Sequence, residues 1–199
     1  MPWEKQFERG DAVQRALRVF WRRGYEKSSL SLLLRGMGIQ KGSFYATFGS
    51  KHALFVEVLK LYIQQRFESF QALRSRQPPL DALKRHLDDV RRESTGPDRF
   101  LGCFMVNCAT EVSPVDREVR EIVASTLRAH AQFYESLLED AKTQRALPAS
   151  LDPQTTASAL LGLVIAMRVC ARGGASAETL TAFRHQAEAL IQVTSPPFF

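Results

Sequence analysis

Apolar residues recur along the chain at the spacing of α-helices, and no segment shows the alternation that predicts a strand. Leu30, Leu33, Leu34 and Met37 illustrate the period, because they lie at i, i+3, i+4 and i+7. Pro-Pro, Gly-Pro, Ser-Pro and Gly-Gly pairs separate the apolar segments, and such pairs end helices. The pattern therefore predicts an all-α fold of about nine helices.

The predicted helices differ in length and leave short connections between them. Their approximate bounds are residues 3–23, 30–37, 40–48, 54–74, 80–93, 100–112, 116–144, 152–172 and 177–192. The two shortest are the second and third, and a long helix follows them directly.

Residues 24–55 predict two short helices, a glycine turn and the beginning of a third helix. We expect Gly24 to close the preceding helix in the left-handed conformation, and Ser28 or Ser29 to cap the next one. Gly38 supplies the tight turn between the two short helices. This order of elements is typical of a helix-turn-helix DNA-binding unit.

The second short helix combines a buried apolar side with a polar side suited to DNA. Ile39, Phe44 and Phe48 anchor it, and its other side carries donors, acceptors and a flat ring, which base edges and phosphates require. Lys51 follows at the N-terminus of the long helix, where a phosphate binds favourably. The predicted DNA contacts are Ser28, Ser29, Gln40, Lys41, Gly42, Ser43, Tyr45, Thr47 and Lys51.

Charge is distributed unevenly along the chain. Residues 1–60 contain 11 Lys and Arg against 5 Asp and Glu, whereas residues 61–199 contain 16 of each. The whole net charge of +6 therefore lies on the segment with the helix-turn-helix pattern. A solvated basic surface is the alternative, but its coincidence with the motif favours phosphate neutralisation on double-stranded DNA.

Residues 24–55 resemble the N-terminal DNA-binding domain of the TetR family of transcriptional regulators. The positions in register are Gly24-Tyr25, Ser28-Ser29, Leu33-Leu34, the run from Gly38 to Tyr45, Phe48 and Ser50-Lys51. Leu32, Gln40 and Ala46-Thr47 depart from the pattern, which leaves the operator sequence open. The resemblance implies a helix-turn-helix domain over residues 1–50 and a ligand-binding, dimerising domain over residues 51–199.

Residues 155–169 are apolar on most sides, and a helix of that kind needs cover on more than one face. A central helix in a monomer is one explanation. The small residues Ala157, Ala159, Gly162 and Ala166 instead favour close approach of a second helix, and a two-fold axis matches a palindromic operator. We therefore predict a homodimer.

The segment GCFMVNCATEV places Cys103, Asn107 and Glu111 at i, i+4 spacing, which predicts one polar stripe in an apolar helix. Either these groups bond to neighbouring helices, or they form a ligand or redox site. The segment also resembles a Gly-Cys-(Leu)-x-x-Asn-x-x-x-Glu pattern found in a branch of TetR-like regulators. Some of these respond to electrophiles or oxidants through a cysteine at the position of Cys103. No Lys or His shares the turn of Cys103, and Arg99 is the nearest cation in sequence.

An apolar or aromatic small-molecule effector is expected between the C-terminal helices, since this half contains more rings than a minimal bundle needs. The predicted effector-binding residues are Phe67, Phe70, Cys103, Phe104, Asn107, Glu111, His130, Tyr134 and Arg168. His130 differs from the other histidines because, with Phe133, Tyr134 and Arg168, it can meet the helix that contains Cys103 around a pocket.

Several classes of protein are disfavoured. The four histidines lie in four different helices, without a catalytic or metal-binding motif, so no catalytic residue, metal or cofactor is expected. Three cysteines without metal spacing do not form a disulfide framework. With no apolar run of 18 residues and no signal peptide, we expect a soluble cytoplasmic protein without a membrane partner.

The sequence therefore predicts a TetR-like repressor that leaves a palindromic operator when a small molecule enters its C-terminal domain. A DNA-binding or partner-docking module without an effector is the first alternative, and a helical enzyme is the second. An aromatic-lined cavity of roughly several hundred Å³ beside Asn107 would argue against the first alternative.

Overall fold

The computed structural model describes residues 8–192, and over that range the chain forms nine α-helices and no strand. The helices are α1 (Arg9–Arg23), α2 (Leu30–Met37), α3 (Lys41–Phe48), α4 (Lys51–Arg76), α5 (Pro79–Thr95), α6 (Phe104–Glu111), α7 (Arg117–Thr143), α8 (Pro153–Arg172) and α9 (Ala177–Ala189). The predicted all-α fold is confirmed.

Several helix ends differ from the predicted ones by a few residues. The long helix α4 begins at Lys51, three residues before its apolar pattern starts at Leu54, because the Ser50 hydroxyl accepts a hydrogen bond from the Ala53 N–H at 3.0 Å and caps it. Helix α9 ends at Ala189, three residues early. The predicted beginning of the first helix at Trp3 lies outside the described residues.

The prediction of one helix over residues 100–112 is wrong. A short 3₁₀ turn at Arg99–Leu101 is followed by Gly102 at φ 64°, and α6 begins only after Cys103. A Cβ at position 102 would lie 3.2 Å from Asn107 Oδ1 and 3.3 Å from Arg172 Cδ, so the bend suits glycine alone. Cys103 therefore lies outside the helix, and the expected polar stripe is interrupted at its first member.

The helix-turn-helix unit and the C-terminal half share a continuous core. Buried side chains of α1–α3 pack with α4, α6 and the first turns of α7, and Phe55 meets Phe20 and Phe104 edge to face at 5.1 and 5.8 Å. A second core lies between α5, α7, α8 and α9. Helix α4 therefore connects the two halves through packed rings and not through a flexible linker.

Helix α8 is unusual because it is apolar but poorly covered within one protomer. By length and composition it is apolar enough to cross a membrane, and 28% of its apolar window is buried. The segment is not an uninterrupted run of 18 apolar residues, because polar residues lie near its beginning and Arg168 near its end, and one such helix is weak evidence for a membrane span. Ala159, Gly162 and Val169 are exposed on it.

Candidate DNA-binding surface and effector cavity

Helices α2 and α3 are held in a fixed relation by caps, a glycine turn and buried rings. Ser29 caps α2 by accepting from the Leu32 N–H at 3.3 Å, and Gly38 ends it in the left-handed conformation at φ 72°, ψ 32°. Phe44 and Phe48 are buried and anchor α3. Gly24 ends α1 at φ 76° but ψ 173°, a positive φ without the left-handed helical conformation that the sequence predicts.

The outer face of α3 brings most of the predicted DNA contacts together. The exposed members are Gln40, Lys41, Gly42, Ser43 and Tyr45, with Thr47 half-buried at the edge. Tyr45 is 48% exposed, so about half of this large ring is available for contact. A Cβ at Gly42 would meet no atom within 4 Å, so the surface is also open at that position.

Ser28 does not belong to this surface. Its side chain is 0% exposed, and its hydroxyl donates to the Gly24 carbonyl at 2.6 Å. The predicted DNA contact is therefore corrected: Ser28 closes the connection between α1 and α2, and its neighbour Ser29 is the exposed cap.

Lys51 lies at the first residue of α4, as expected from the sequence. Its Nζ atom lies 4.3 Å from the centre of the Tyr25 ring, a cation–π contact that holds the ammonium beside the first turn. A positive side chain at a helix N-terminus forms a favourable place for a phosphate oxygen.

A small cavity of about 40 Å³ lies among α4, α5, α6, α7 and α8. It is lined by Tyr62, Ile63, Arg66, Phe70, His86, Val90, Cys103, Met105, Val106, Thr126, His130, Tyr134, Leu161, Val164, Ile165 and Arg168. Five predicted effector residues are among them: Phe70, Cys103, His130, Tyr134 and Arg168. The cavity is much smaller than the predicted several hundred Å³, and Asn107 does not line it.

The other four predicted effector residues lie elsewhere. Phe67 packs behind His130, with ring centres 4.7 Å apart, and Phe104 is enclosed in the first core. The Asn107 amide donates to the Leu101 carbonyl at 2.8 Å, and Glu111 is exposed and paired with Arg172 at 2.9 Å. Because the bend at Gly102 redirects the chain, Asn107 and Glu111 face α1 and α8 instead of the cavity.

The polar atoms of the cavity are incompletely bonded. The Tyr62 hydroxyl donates to Cys103 Sγ at 3.3 Å, whereas Nε2 of His86 and Nε2 of His130 are buried without a hydrogen-bond partner. Burial and the nearby guanidinium of Arg66 lower the pKa of His86 to about 3 and that of His130 to about 4. Both imidazoles are therefore neutral at physiological pH, and each presents a free ring nitrogen.

A three-residue ion cluster, formed by Arg66, Glu93 and Arg168, borders the cavity, and sequence analysis missed two of its members. Arg66 donates twice to Glu93, at 3.2 and 2.6 Å, and Arg168 donates to the same Oε2 atom. Burial opposes the charge of Glu93, but the two guanidiniums lower its pKa to about 2. The three side chains lie on α4, α5 and α8, so no local pattern in the sequence indicates them.

The bend between the 3₁₀ turn and α6 connects the cavity to the helix-turn-helix unit. The Leu101 carbonyl accepts hydrogen bonds from Trp21 of α1 at 3.0 Å, from Asn107 of α6, and from Arg172 of α8 at 3.4 Å. Two residues further on, Cys103 lines the cavity. A shift of this segment therefore moves groups on both sides.

A second connection joins the beginning of α4 to that of α7. His52 Nε2 lies 2.7 Å from Asp116 Oδ2, and Asp116 also caps α7 by accepting from the Val119 N–H at 3.0 Å.

Within residues 8–192, no group of three or more His, Cys, Asp or Glu side chains is placed to hold a metal ion.

Comparison with known proteins gives these surfaces their context. Residues 13–58 match the family model "Bacterial regulatory proteins, tetR family", and residues 79–187 match "Tetracyclin repressor-like, C-terminal domain". The HTH-type transcriptional repressor ComR of Escherichia coli is 31% identical over 182 residues, covering 88% of this chain and 85% of the relative.

Solved structures share the fold. The TetR family regulator CifR, as a cysteine mutant complexed with operator DNA, superposes with a TM-score of 0.81 at 28% identity, covering 94% of this chain and 97% of that one. Reduced E. coli NemR gives a TM-score of 0.83 at 22% identity, covering 93% and 99%. With family models over both halves and a relative similar over most of its length, the chain belongs to the TetR family of bacterial transcriptional regulators.

Proposed function

We propose that this protein is a homodimeric repressor that binds a palindromic operator in the cytoplasm and leaves it when a small molecule enters the cavity. Its relatives are named as regulators, and the chain is a DNA-binding regulator and not an enzyme. The observation that carries the proposal is the exposed polar face of α3, where Lys41 and Tyr45 stand uncovered on a basic domain.

The DNA contacts divide into two kinds. Gln40, Lys41, Ser43 and Tyr45 would reach base edges and the adjoining phosphates from the major groove, which is how helix-turn-helix proteins read DNA. Ser29 and Lys51 lie at helix N-termini, and they are suited to phosphate oxygens. The first group would set the operator sequence, and the second would contribute affinity on any duplex.

Dimerisation through α8 and α9 is supported by the uncovered apolar face of α8. Small side chains at Ala159, Gly162 and Ala166 would allow the same helix of a second protomer to approach closely. The membrane alternative is disfavoured because α5, α7 and α9 pack against α8 and because Arg168 lies buried within it. A two-fold axis through α8 and α9 would present both α3 helices to one palindrome.

Effector release is supported by the unpartnered cavity atoms and by the bend that joins the cavity to α1. A core that is packed only for stability rarely leaves two imidazole nitrogens without partners. The cavity must widen to hold a ligand, since small-molecule sites commonly measure about 300–1,000 Å³. Widening would displace Cys103 and the Leu101 carbonyl that holds Trp21, and so shift the population away from the DNA-bound spacing.

A second candidate for release is covalent modification of Cys103. Its sulphur lines the cavity, is half-buried, and accepts a hydrogen bond from Tyr62 at the beginning of α6. An electrophile that alkylates the sulphur would add volume to a space of about 40 Å³ and force the same displacement. Cysteine mutants of the TetR family regulator CifR, at 27% identity, are among the similar structures.

A transcriptional reporter tests the proposal. A reporter gene is placed behind the DNA that flanks the regulator's own gene, and its expression is measured with and without the protein. We expect the parent to repress the reporter and Tyr45→Ala to relieve repression at equal protein level. Equal expression with parent, variant and empty vector would contradict a role as repressor of that promoter.

A further inference from the structure

The Arg66–Glu93–Arg168 ion cluster lies between the small cavity and a larger groove. The groove measures about 620 Å³ and reaches from Trp21 to Asp98. Arg66 and Arg168 line both spaces, whereas Glu93 lines the groove alone. A ligand that passes from solvent to the cavity along this route meets the three charged groups first.

The charges at this boundary do not balance. Two guanidiniums share one carboxylate, and the titratable side chains that line the cavity itself are otherwise tyrosines, a cysteine and the two neutral histidines. The other acidic groups of the groove are Asp89, which pairs with Arg85 and Arg92, and Asp98. The Arg66–Glu93–Arg168 cluster that borders the cavity therefore has a net charge of +1, whereas the groove as a whole is lined by three arginines and three acidic residues.

Arg168 has donor capacity to spare. Its side chain is 8% exposed, and a guanidinium has five N–H donors, but within residues 8–192 its one ion pair is with Glu93. Arg66 already makes both of its hydrogen bonds to the same carboxylate. A bound anion would give the remaining donors of Arg168 further charge-assisted hydrogen bonds.

The cavity beyond the guanidiniums is suited to a small apolar body. Phe70, Val164 and Ile165 supply apolar walls, and His86, whose buried Nε2 atom has no hydrogen-bond partner, lines the same space. A ligand with one oxygen-bearing head would bond to the arginines, and its apolar part would lie among these walls. A single polar contact to an imidazole would complete the hydrogen bonding.

We propose that the effector is a small organic acid with one anionic head, which displaces Glu93 from Arg66 and Arg168 while its apolar part fills the cavity. This inference rests on the proposed function, because it names the ligand class of the same site. A planar carboxylate fits a guanidinium through two parallel hydrogen bonds, so the incoming head reproduces the contacts that Glu93 gives up. Departure of Glu93 also joins the groove to the cavity and opens the space that the ligand requires.

Matched pairs of acid and amide test the charge requirement. Propionate is compared with propionamide, and benzoate with benzamide, by calorimetry and by the fluorescence of Trp21, which lines the groove. The members of each pair have the same shape and differ in charge. We expect at least one acid to bind in the millimolar range or more tightly, and its amide to bind at least about tenfold more weakly.

Substitutions at the ion cluster sharpen the test. Glu93→Gln removes the competing charge and keeps the shape, so the acid should bind about tenfold more tightly while the amide is unaffected. Arg168→Gln should abolish the preference for the acid, and Arg66→Gln, at a more exposed position, repeats the test if the first variant fails to fold. Arg74→Gln is the matched control, because it breaks another interhelical ion pair, with Asp140, away from the cavity.

The outcomes separate this inference from the proposed function. Equal binding of acid and amide, weaker acid binding in Glu93→Gln, or no binding of any acid at millimolar concentration would overturn the anionic ligand class. Operator release is measured on the same samples. If amides bind and release the operator, effector release stands without the anion requirement; if acids bind and release nothing, the ligand class stands and effector release fails.

Discussion

Adjacent side chains in this protein perform different tasks, and exposure distinguishes them. Ser28 and Ser29 are both plausible caps by sequence, but Ser28 is enclosed and bonded to Gly24, whereas Ser29 caps α2 at the surface. The side chains of α3 were assigned correctly to its inner and outer faces because an eight-residue helix with two buried phenylalanines has one possible orientation. Residues near a turn lack such a constraint.

The first prediction concerns α3. Lys41→Ala and Tyr45→Ala should each weaken operator binding by about 1–3 kcal/mol, because each removes an exposed group from the proposed base-reading face. Binding is measured by fluorescence anisotropy on operator and on random duplex. Arg128→Ala, which removes an exposed charge from α7, is the control. Parent-like affinity in both α3 variants would show that another surface binds DNA.

The second prediction concerns Lys51. Lys51→Ala should weaken binding to operator and to random duplex by similar factors, and it should lower the slope of log affinity against log salt by about one, since one phosphate contact is lost. The measurement is a salt titration with both duplexes. A loss confined to the operator would instead make Lys51 a base contact.

The third prediction concerns Cys103. Alkylation of the folded protein with iodoacetamide should weaken operator binding in the parent, because the new S–C bond places extra atoms in the cavity as iodide leaves and the thiol proton passes to solvent. Cys103→Ser should resist. Cys108→Ser is the control, since burial raises the pKa of the Cys108 thiol and keeps it unreactive. Equal release by parent and Cys103→Ser would exclude covalent sensing at this position.

At the scale of elements, helices were predictable and their interruptions were not. Apolar periodicity and Pro or Gly pairs located each of the nine helices of residues 8–192, because those signals are local. The bend at Gly102 is not predictable from the apolar pattern, because that pattern continues through it. A side chain at this position would meet Asn107 and also Arg172, which is distant in sequence, and contacts of that kind leave no local signal.

The local character of sequence signals also explains which cavity residues are predictable. Four of them are chemically distinctive groups on helices expected to face one another, and the fold brings them to one space: Cys103, His130, Tyr134 and Arg168. Glu93 and Arg66 resembled ordinary surface charges on their helices. Only the packing of α4, α5 and α8 makes them one ion cluster.

The fourth prediction tests the connection through the bend. Trp21→Phe keeps the ring in the core but removes the hydrogen bond to the Leu101 carbonyl. We expect near-parental operator affinity without effector and a smaller loss of affinity with it, because the cavity and α1 are then less tightly coupled. Operator affinity is measured with and without a ligand that releases the parent. An unchanged ratio would place the coupling elsewhere, for example at His52 and Asp116.

At the scale of the whole molecule, assembly follows from what one protomer leaves uncovered. The fifth prediction is a stable homodimer that buries more than about 1,200 Å² in total through α8 and α9. Gly162→Arg should dissociate it, because a Cβ there points into open space where the second protomer would pack. Gln132→Arg, at an exposed position of α7, is the control. The mass is measured by light scattering at low micromolar concentration. A monomeric mass for the parent would contradict the dimer.

One experiment tests the central claim most directly. The purified full chain selects duplexes from a random-sequence pool, and the mass of the resulting protein–DNA complex is then measured. The account predicts that the parent enriches one palindrome, with half-sites spaced by whole turns of the duplex and a protein dimer bound. Tyr45→Ala should enrich no such sequence, because the base-reading face is incomplete. Enrichment of no sequence, or of an asymmetric site occupied by one protomer, would contradict a dimeric operator-binding repressor.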